Sequence, residues 1–135
     1  MTPQLRHPSY AYDITADELP FLLRRIRPGQ RDPWCDLVSR RGLVTALAEG
    51  RRFRVQWTEW PEGKPRSQHI RWRARDPKRL AALAGMGDAR KLPRDKDSAF
   101  LTYADTLRIF QSFLRCEPRP PQYCWRKSRK SILPF

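Results

Sequence analysis

Two stretches in which apolar and polar side chains alternate decide the fold of this chain: RFRVQWTEW at residues 52–60 and SQHIRWRAR at residues 67–75. Successive side chains of a β-strand point to opposite faces of its sheet, so the alternation predicts strands with one apolar and one polar face. The stretch between them, PEGKPR at residues 61–66, has the Pro and Gly content of a turn. We therefore expect the two strands to be antiparallel neighbours.

Further short strands precede this pair, separated by turn residues. Strands are expected near residues 35–39, 43–48, 52–60 and 67–75, with turns at 40–42, 49–50 and 61–66. Short connections that contain Gly and Pro favour a meander, in which consecutive strands pair. The sequence thus predicts an α+β fold with an antiparallel three- to four-stranded meander sheet over about residues 35–75.

Three helices are expected to pack on the apolar face of this sheet, at about residues 17–27, 77–84 and 98–116. Asp17 and Asp76 are residue types that cap the N-terminus of a helix, and Pro118 is expected to end the third one. The third helix has the strongest pattern, because apolar residues recur in it every three or four positions: Phe100, Tyr103, Ala104, Leu107, Phe110 and Leu114.

A chain of 135 residues predicts a single domain, residues 1–135. Residues 1–13 carry two prolines and no periodicity, which predicts an extended N-terminal arm. Residues 117–135 begin with a run of prolines and become basic, which predicts a Pro-rich, basic C-terminal tail.

Hydropathy and cysteine content predict the compartment. The most apolar stretches, residues 19–23 and 43–48, are too short for a transmembrane helix or a signal peptide, so we expect a soluble, cytoplasmic protein without a membrane partner. The three cysteines, Cys35, Cys116 and Cys124, are odd in number and form no CxxC pair. That favours reduced thiols over a disulfide or a zinc site, and we expect no metal and no cofactor.

Positive charge is the strongest feature of the composition. The chain has 28 Lys and Arg against 14 Asp and Glu, a formal charge of +14, and Arg greatly outnumbers Lys. A GC-rich genome accounts for the preference for Arg. It does not account for the surplus of charge, because self-repulsion destabilises a compact chain unless an anion offsets it.

The two alternating strands are expected to form an arginine-rich face. If the hairpin closes with Trp60 opposite Ser67, or in a register shifted by two, five arginines point the same way: Arg52, Arg54, Arg71, Arg73 and Arg75. Such a face fits phosphates, with Gln56, Thr58 and His69 as hydrogen-bonding residues and Trp60 available to stack on a base. The alternative is a solvated face whose arginines pair with acids elsewhere in the fold.

The C-terminal tail interleaves aromatic and basic residues, a composition typical of segments that bind single strands or phosphate backbones. The candidate binding residues there are Tyr123, Trp125, Arg126, Lys127, Arg129 and Lys130. Two alternatives stay open: the tail is a disordered basic end, or Tyr123 and Trp125 attach it to the core.

No catalytic residues are predicted, and we do not expect an enzyme. A small nuclease is the exception that the sequence leaves open. Its metal-dependent form would use Glu62 and Lys64 with the carboxylates of Asp32, Asp36 and Glu49, and its metal-free form would use His69. Glu62 and Lys64 stand in a turn flanked by prolines, which argues against a rigid metal site.

Two functional hypotheses follow. The first is a small basic protein that binds nucleic acid, DNA or RNA, or serves as an accessory subunit of a nucleoprotein complex. The second is a protein-binding inhibitor, such as an immunity-type or phage-encoded antagonist, that docks a basic surface rich in Trp and Arg on an acidic partner protein.

Overall fold

A computed structural model describes residues 4–7, 10–15, 17–24, 33–60, 70–75, 101–129 and 131–132. These residues form seven strands and two helices. The strands are β1 (Gln4–His7), β2 (Tyr10–Asp13), β3 (Trp34–Ser39), β4 (Gly42–Glu49), β5 (Arg52–Glu59), β6 (Ile70–Arg75) and β7 (Cys124–Ser128). The helices are α1 (Leu19–Leu23) and α2 (Tyr103–Leu114).

The strands form one antiparallel sheet in the order β2-β1-β3-β4-β5-β6-β7. The α+β class and the antiparallel pairing of β3 to β6 are as predicted, and the ends of β3, β4 and β5 lie within one residue of the expected ones. The predicted count of three to four strands was too low, because strands are added at both edges of the meander.

Both added edges come from segments that were expected to lie outside the sheet. The N-terminal arm forms β1 and β2, and β1 pairs with β3. The C-terminal tail forms β7, which pairs with β6 over five residues. These strands are four or five residues long and stand close to prolines, so they are too short to carry a clear alternation.

The helices are shorter than predicted. Helix α1 begins two residues after Asp17. Helix α2 begins at Tyr103, because Thr102 and Asp105 form a capping box in which each side chain binds the backbone N–H of the other. The helix predicted at 77–84 lies outside the described residues, as do 25–27 and 98–100. In the part of the chain that the structure describes, no helix is both long enough and apolar enough to cross a membrane.

The apolar face of the sheet forms the main core with the two helices. Val55 and Trp57 on β5 are buried together with Ile109, Phe110 and Phe113 on α2. Leu19 and Leu23 of α1 belong to the same cluster. The rings of Trp57 and Phe113 meet edge to face, with their centroids 5.1 Å apart. Because the helices cover the apolar face, the opposite face of the sheet is the candidate binding surface.

Gly42 permits the close approach of β4 and β5 at one end of the sheet. Its φ is +142°, a conformation that residues with a side chain rarely adopt, and a Cβ there would overlap the carbonyl oxygen of Thr58. The ladder between the two strands then runs from Gly42 opposite Glu59 to Glu49 opposite Arg52. Gly42 thus belongs to the contact that sets this register.

Candidate nucleic-acid interface

The second face of β5, β6 and β7 carries six arginines. Gln56 lies opposite Arg73 and Thr58 lies opposite Arg71, so these side chains share a face. Arg73 in turn lies opposite Arg126 on β7. By strand alternation the set, called the arginine face here, contains Arg52, Arg54, Arg71, Arg73, Arg75 and Arg126.

The observed register is the one shifted by two residues from the Trp60–Ser67 alignment. A shift of two keeps every side chain on its face, so alternation alone could not distinguish the two registers. The shift does change which residues lie opposite each other on β5 and β6. Arg73 lies opposite Gln56 instead of Arg54, and Arg71 lies opposite Thr58 instead of Gln56. Cross-strand repulsion between β5 and β6 is therefore weaker than in the first alignment.

The centre of the arginine face is buried, whereas the sequence predicted a face that binds phosphates, with a solvated face as the alternative. Thr45, Gln56 and Thr58 are each 2% exposed and Arg73 is 6% exposed. On β3, Asp36 is also buried, and it accepts a 2.6 Å hydrogen bond from the Thr45 hydroxyl. The buried side chains thus form a polar row across four strands, from Asp36 through Thr45 and Gln56 to Arg73.

The accessible cations lie around this buried row. Arg52 and Arg126 are exposed, while Arg54, Arg71 and Arg75 are half-buried. The Arg54 guanidinium pairs with Glu49, with 2.7 Å between Nε and Oε2. Such a partly exposed pair contributes about 1 kcal/mol or less and neutralises one charge of the face.

Among the predicted tail residues, Tyr123 serves the fold. Its ring is 6% exposed. Its hydroxyl donates a 2.8 Å hydrogen bond to Asp105 and accepts a 3.0 Å bond from Arg108. Burial, together with the Asp105 carboxylate, raises the pKa of Tyr123 to about 12. The ring of Tyr123 is therefore not available to stack on a base in this conformation.

Trp125 is also engaged inside the molecule. Its indole N–H donates to the carbonyl of Pro120 at 2.9 Å, and its ring meets Trp57 edge to face at 5.9 Å. The Arg119 guanidinium lies 3.8 Å from the ring centre of Trp72 and 5.8 Å from that of Trp125, and its Nε lies 3.5 Å from Glu59. This cluster attaches the proline-rich segment to the apolar face of the sheet, and no sequence signal pointed to Arg119.

The remaining predicted site residues lie at the sheet edge or beyond the described chain. Lys127 is exposed opposite Trp72, and Arg129 is exposed just after β7. The backbone carbonyl of Arg129 accepts a 3.3 Å bond from Arg71. Trp60 is half-buried, and its backbone N–H donates to the carbonyl of Arg41. His69 and Lys130 lie outside the described residues, and so do the nuclease candidates Asp32, Glu62 and Lys64.

The cysteines differ in environment. Cys35 is fully buried in the core, and its burial, with Asp36 nearby, raises the pKa of the thiol far above its ordinary value. Cys116 and Cys124 are free and exposed. Within the described ranges, no three His, Cys, Asp or Glu side chains converge on a point where a metal could bind.

A groove of about 430 Å³ lies on the helical side of the molecule, between the C-terminal half of α2 and the proline-rich segment. Its lining is mixed in charge: it contains Arg108, Arg115 and Glu117, together with several prolines and glutamines. Unlike the arginine face, this groove does not concentrate charge of one sign.

No family model, no curated protein and no solved structure matches this chain. Any functional inference therefore depends on the geometry and charge of the arginine face.

Proposed function

We propose that the protein binds nucleic acid by its phosphates, through the accessible part of the arginine face. The observation that carries the proposal is the six arginines on one side of three adjacent strands. On β3 to β7 the same side carries two carboxylates, Asp36 and Glu49. Asp36 accepts a hydrogen bond from Thr45 and Glu49 is paired with Arg54, and the six arginines outnumber these two carboxylates.

The spacing of these cations suits a polyanion. Side chains two apart on a strand are about 6.8 Å apart, and neighbouring strands are about 4.8 Å apart. Several guanidiniums are therefore within reach of successive phosphates of one strand, and a guanidinium matches phosphate geometry with two parallel hydrogen bonds. The contacts are expected from Arg52, Arg54, Arg71, Arg75 and Arg126, with Arg129 at the adjacent edge.

The proposal does not require aromatic stacking by the tail, since Tyr123 and Trp125 are already engaged within the fold. Phosphate contacts fix position and carry no sequence information. We therefore expect binding with little base preference.

Docking on an acidic protein is the second candidate, because the same surplus of arginines would fit an acidic surface. An interface of that kind needs a defined partner at fixed stoichiometry. A nucleic-acid interface gives affinity for any strand of sufficient length, and that difference separates the two candidates.

The test compares two variants with equal loss of charge. Arg52→Gln/Arg126→Gln removes exposed cations from the arginine face, and the control Arg24→Gln/Arg115→Gln removes exposed cations at the helices on the other side. Fluorescence anisotropy on a labelled 20-nucleotide strand is expected to show about tenfold weaker binding for the first variant and less than about twofold for the control.

Equal losses in the two variants would mean that overall charge, not this face, attracts the strand. Absence of binding by the unmodified chain would overturn the proposal. In that event, stoichiometric capture of an acidic protein by the unmodified chain, lost in the face variant, would favour the inhibitor.

A further inference from the structure

The buried row of the arginine face is covered in part by a residue from the C-terminal segment. Ile132 is 6% exposed, and its backbone N–H donates a 3.3 Å hydrogen bond to the side-chain oxygen of Gln56. The main core cluster contains neither Ile132 nor Val38, although both side chains are buried. Ile132 therefore packs on the polar side of the sheet.

The buried centre of the arginine face, which includes Gln56, has the composition of a surface that meets water or a ligand. Burying a polar side chain costs free energy unless it is fully hydrogen-bonded, so a permanently covered strand face is ordinarily apolar. The opposite face of the same strand follows this rule, with Phe53, Val55 and Trp57 under the helices. The covered centre of the arginine face instead has Thr45, Gln56, Thr58 and Arg73.

The contacts between the segment and this face include two that use side chains of the face. Arg71 donates to the carbonyl of Arg129, and Gln56 accepts from the N–H of Ile132. A phosphate is a stronger acceptor for a guanidinium than a neutral carbonyl, because the hydrogen bond is then charge-assisted on both sides. A nucleic-acid phosphate at Arg71 would therefore compete directly with the first contact.

We infer that the segment around Ile132 is a displaceable cover over the binding face, and that nucleic acid removes it. Phosphate at Arg71 releases the carbonyl of Arg129, Ile132 leaves Gln56, and the nucleic acid gains access to Gln56. This inference rests on the proposed function, since it assigns regulation to the same face.

The apparent association constant equals the association constant of the open form multiplied by the fraction of molecules in which the cover is open. If about one molecule in twenty is open, full release raises the affinity about twentyfold. Ile132→Ser removes most of the apolar contact without adding charge, so we expect about five- to tenfold tighter binding of a 20-nucleotide oligothymidylate. The matched control Ile132→Val keeps the contact, and its affinity is expected within about twofold of the unmodified chain.

Amide hydrogen exchange of the unmodified chain is a second measurement that does not depend on how a variant folds. With saturating oligothymidylate, the Ile132 amide is expected to exchange at least about fivefold faster, because it loses its partner on Gln56. If the chain binds oligothymidylate with unchanged exchange at Ile132, the cover is overturned and the proposed function stands. Equal affinities of Ile132→Ser and Ile132→Val would have the same meaning. Absence of binding by all three chains would overturn both.

Discussion

At the scale of single residues, Asp105 connects the start of α2 to the tail. Its carboxylate accepts from the backbone N–H and hydroxyl of Thr102 and from the hydroxyl of Tyr123. Burial alone would raise the pKa of Asp105, but these hydrogen bonds and the Arg108 charge outweigh it and lower the pKa. The stability that Asp105 contributes is thus present above its unfolded pKa of about 3.9 and is lost as the pH falls through its folded value.

Tyr123→Phe tests this connection. The change removes a hydrogen bond to a carboxylate, so we expect a loss of about 2 kcal/mol in the free energy of unfolding at pH 7, measured by urea denaturation. Tyr103→Phe is the control, since the Tyr103 hydroxyl donates to the neutral carbonyl of Pro20 at 2.8 Å. Its loss is expected to be about 1 kcal/mol.

The stability difference between the unmodified chain and Tyr123→Phe is also expected to depend on pH in alkaline solution. The pKa of Tyr123 is about 12 in the folded protein, against about 10 in an unfolded chain. A raised pKa of an acid means that its stabilising contribution is complete below pH 10 and decreases as the pH rises toward 12. The stability difference between the unmodified chain and Tyr123→Phe should therefore shrink over that range, and a constant difference would contradict this account.

At the scale of elements, the meander from β3 to β6 could be predicted because Gly and Pro mark its turns and its strands alternate. The edge strands could not, since β1, β2 and β7 have too few residues for a pattern. Five of the six arginines of the arginine face were predicted as a set on the same grounds of alternation, whereas Arg126 was expected in a tail outside the sheet. The burial of this face was not predicted, because contacts to it join distant positions of the chain, such as Gln56 and Ile132, which are 76 positions apart. The capping box of Thr102 and Asp105 marks the start of α2, but the apolar repeat continues before it to Phe100, so the repeat alone predicts a longer helix.

Gly42 and Gly50 form a matched pair for testing the β4–β5 register. Gly42→Ala places a methyl group against the carbonyl of Thr58, while Gly50, at φ +59°, has open space around it. We expect a loss of about 3 kcal/mol or more for Gly42→Ala and about 1 kcal/mol for Gly50→Ala, measured by thermal and urea unfolding. Similar losses at both positions would mean that the close approach at Thr58 does not hold the register.

At the scale of the whole molecule, the formal charge of +14 is distributed unevenly. The three strands β5, β6 and β7 contain seven Arg and Lys and one acid, Glu59, which pairs with Arg119. The helices have other roles, since they cover the apolar face and anchor the tail. Among the described residues, the helices cover the apolar side of the sheet and the other side carries six arginines, and the proposed function requires an anion to bind there.

The salt dependence of binding tests most directly whether the arginine face binds phosphates. If about four phosphates are contacted, the logarithm of the association constant on duplex DNA should fall with the logarithm of salt concentration with a slope of about −3 to −4. Fluorescence anisotropy between about 50 and 200 mM salt measures this slope. A slope in that range would support phosphate binding by the arginine face, whereas an affinity that stays flat across the titration would contradict it.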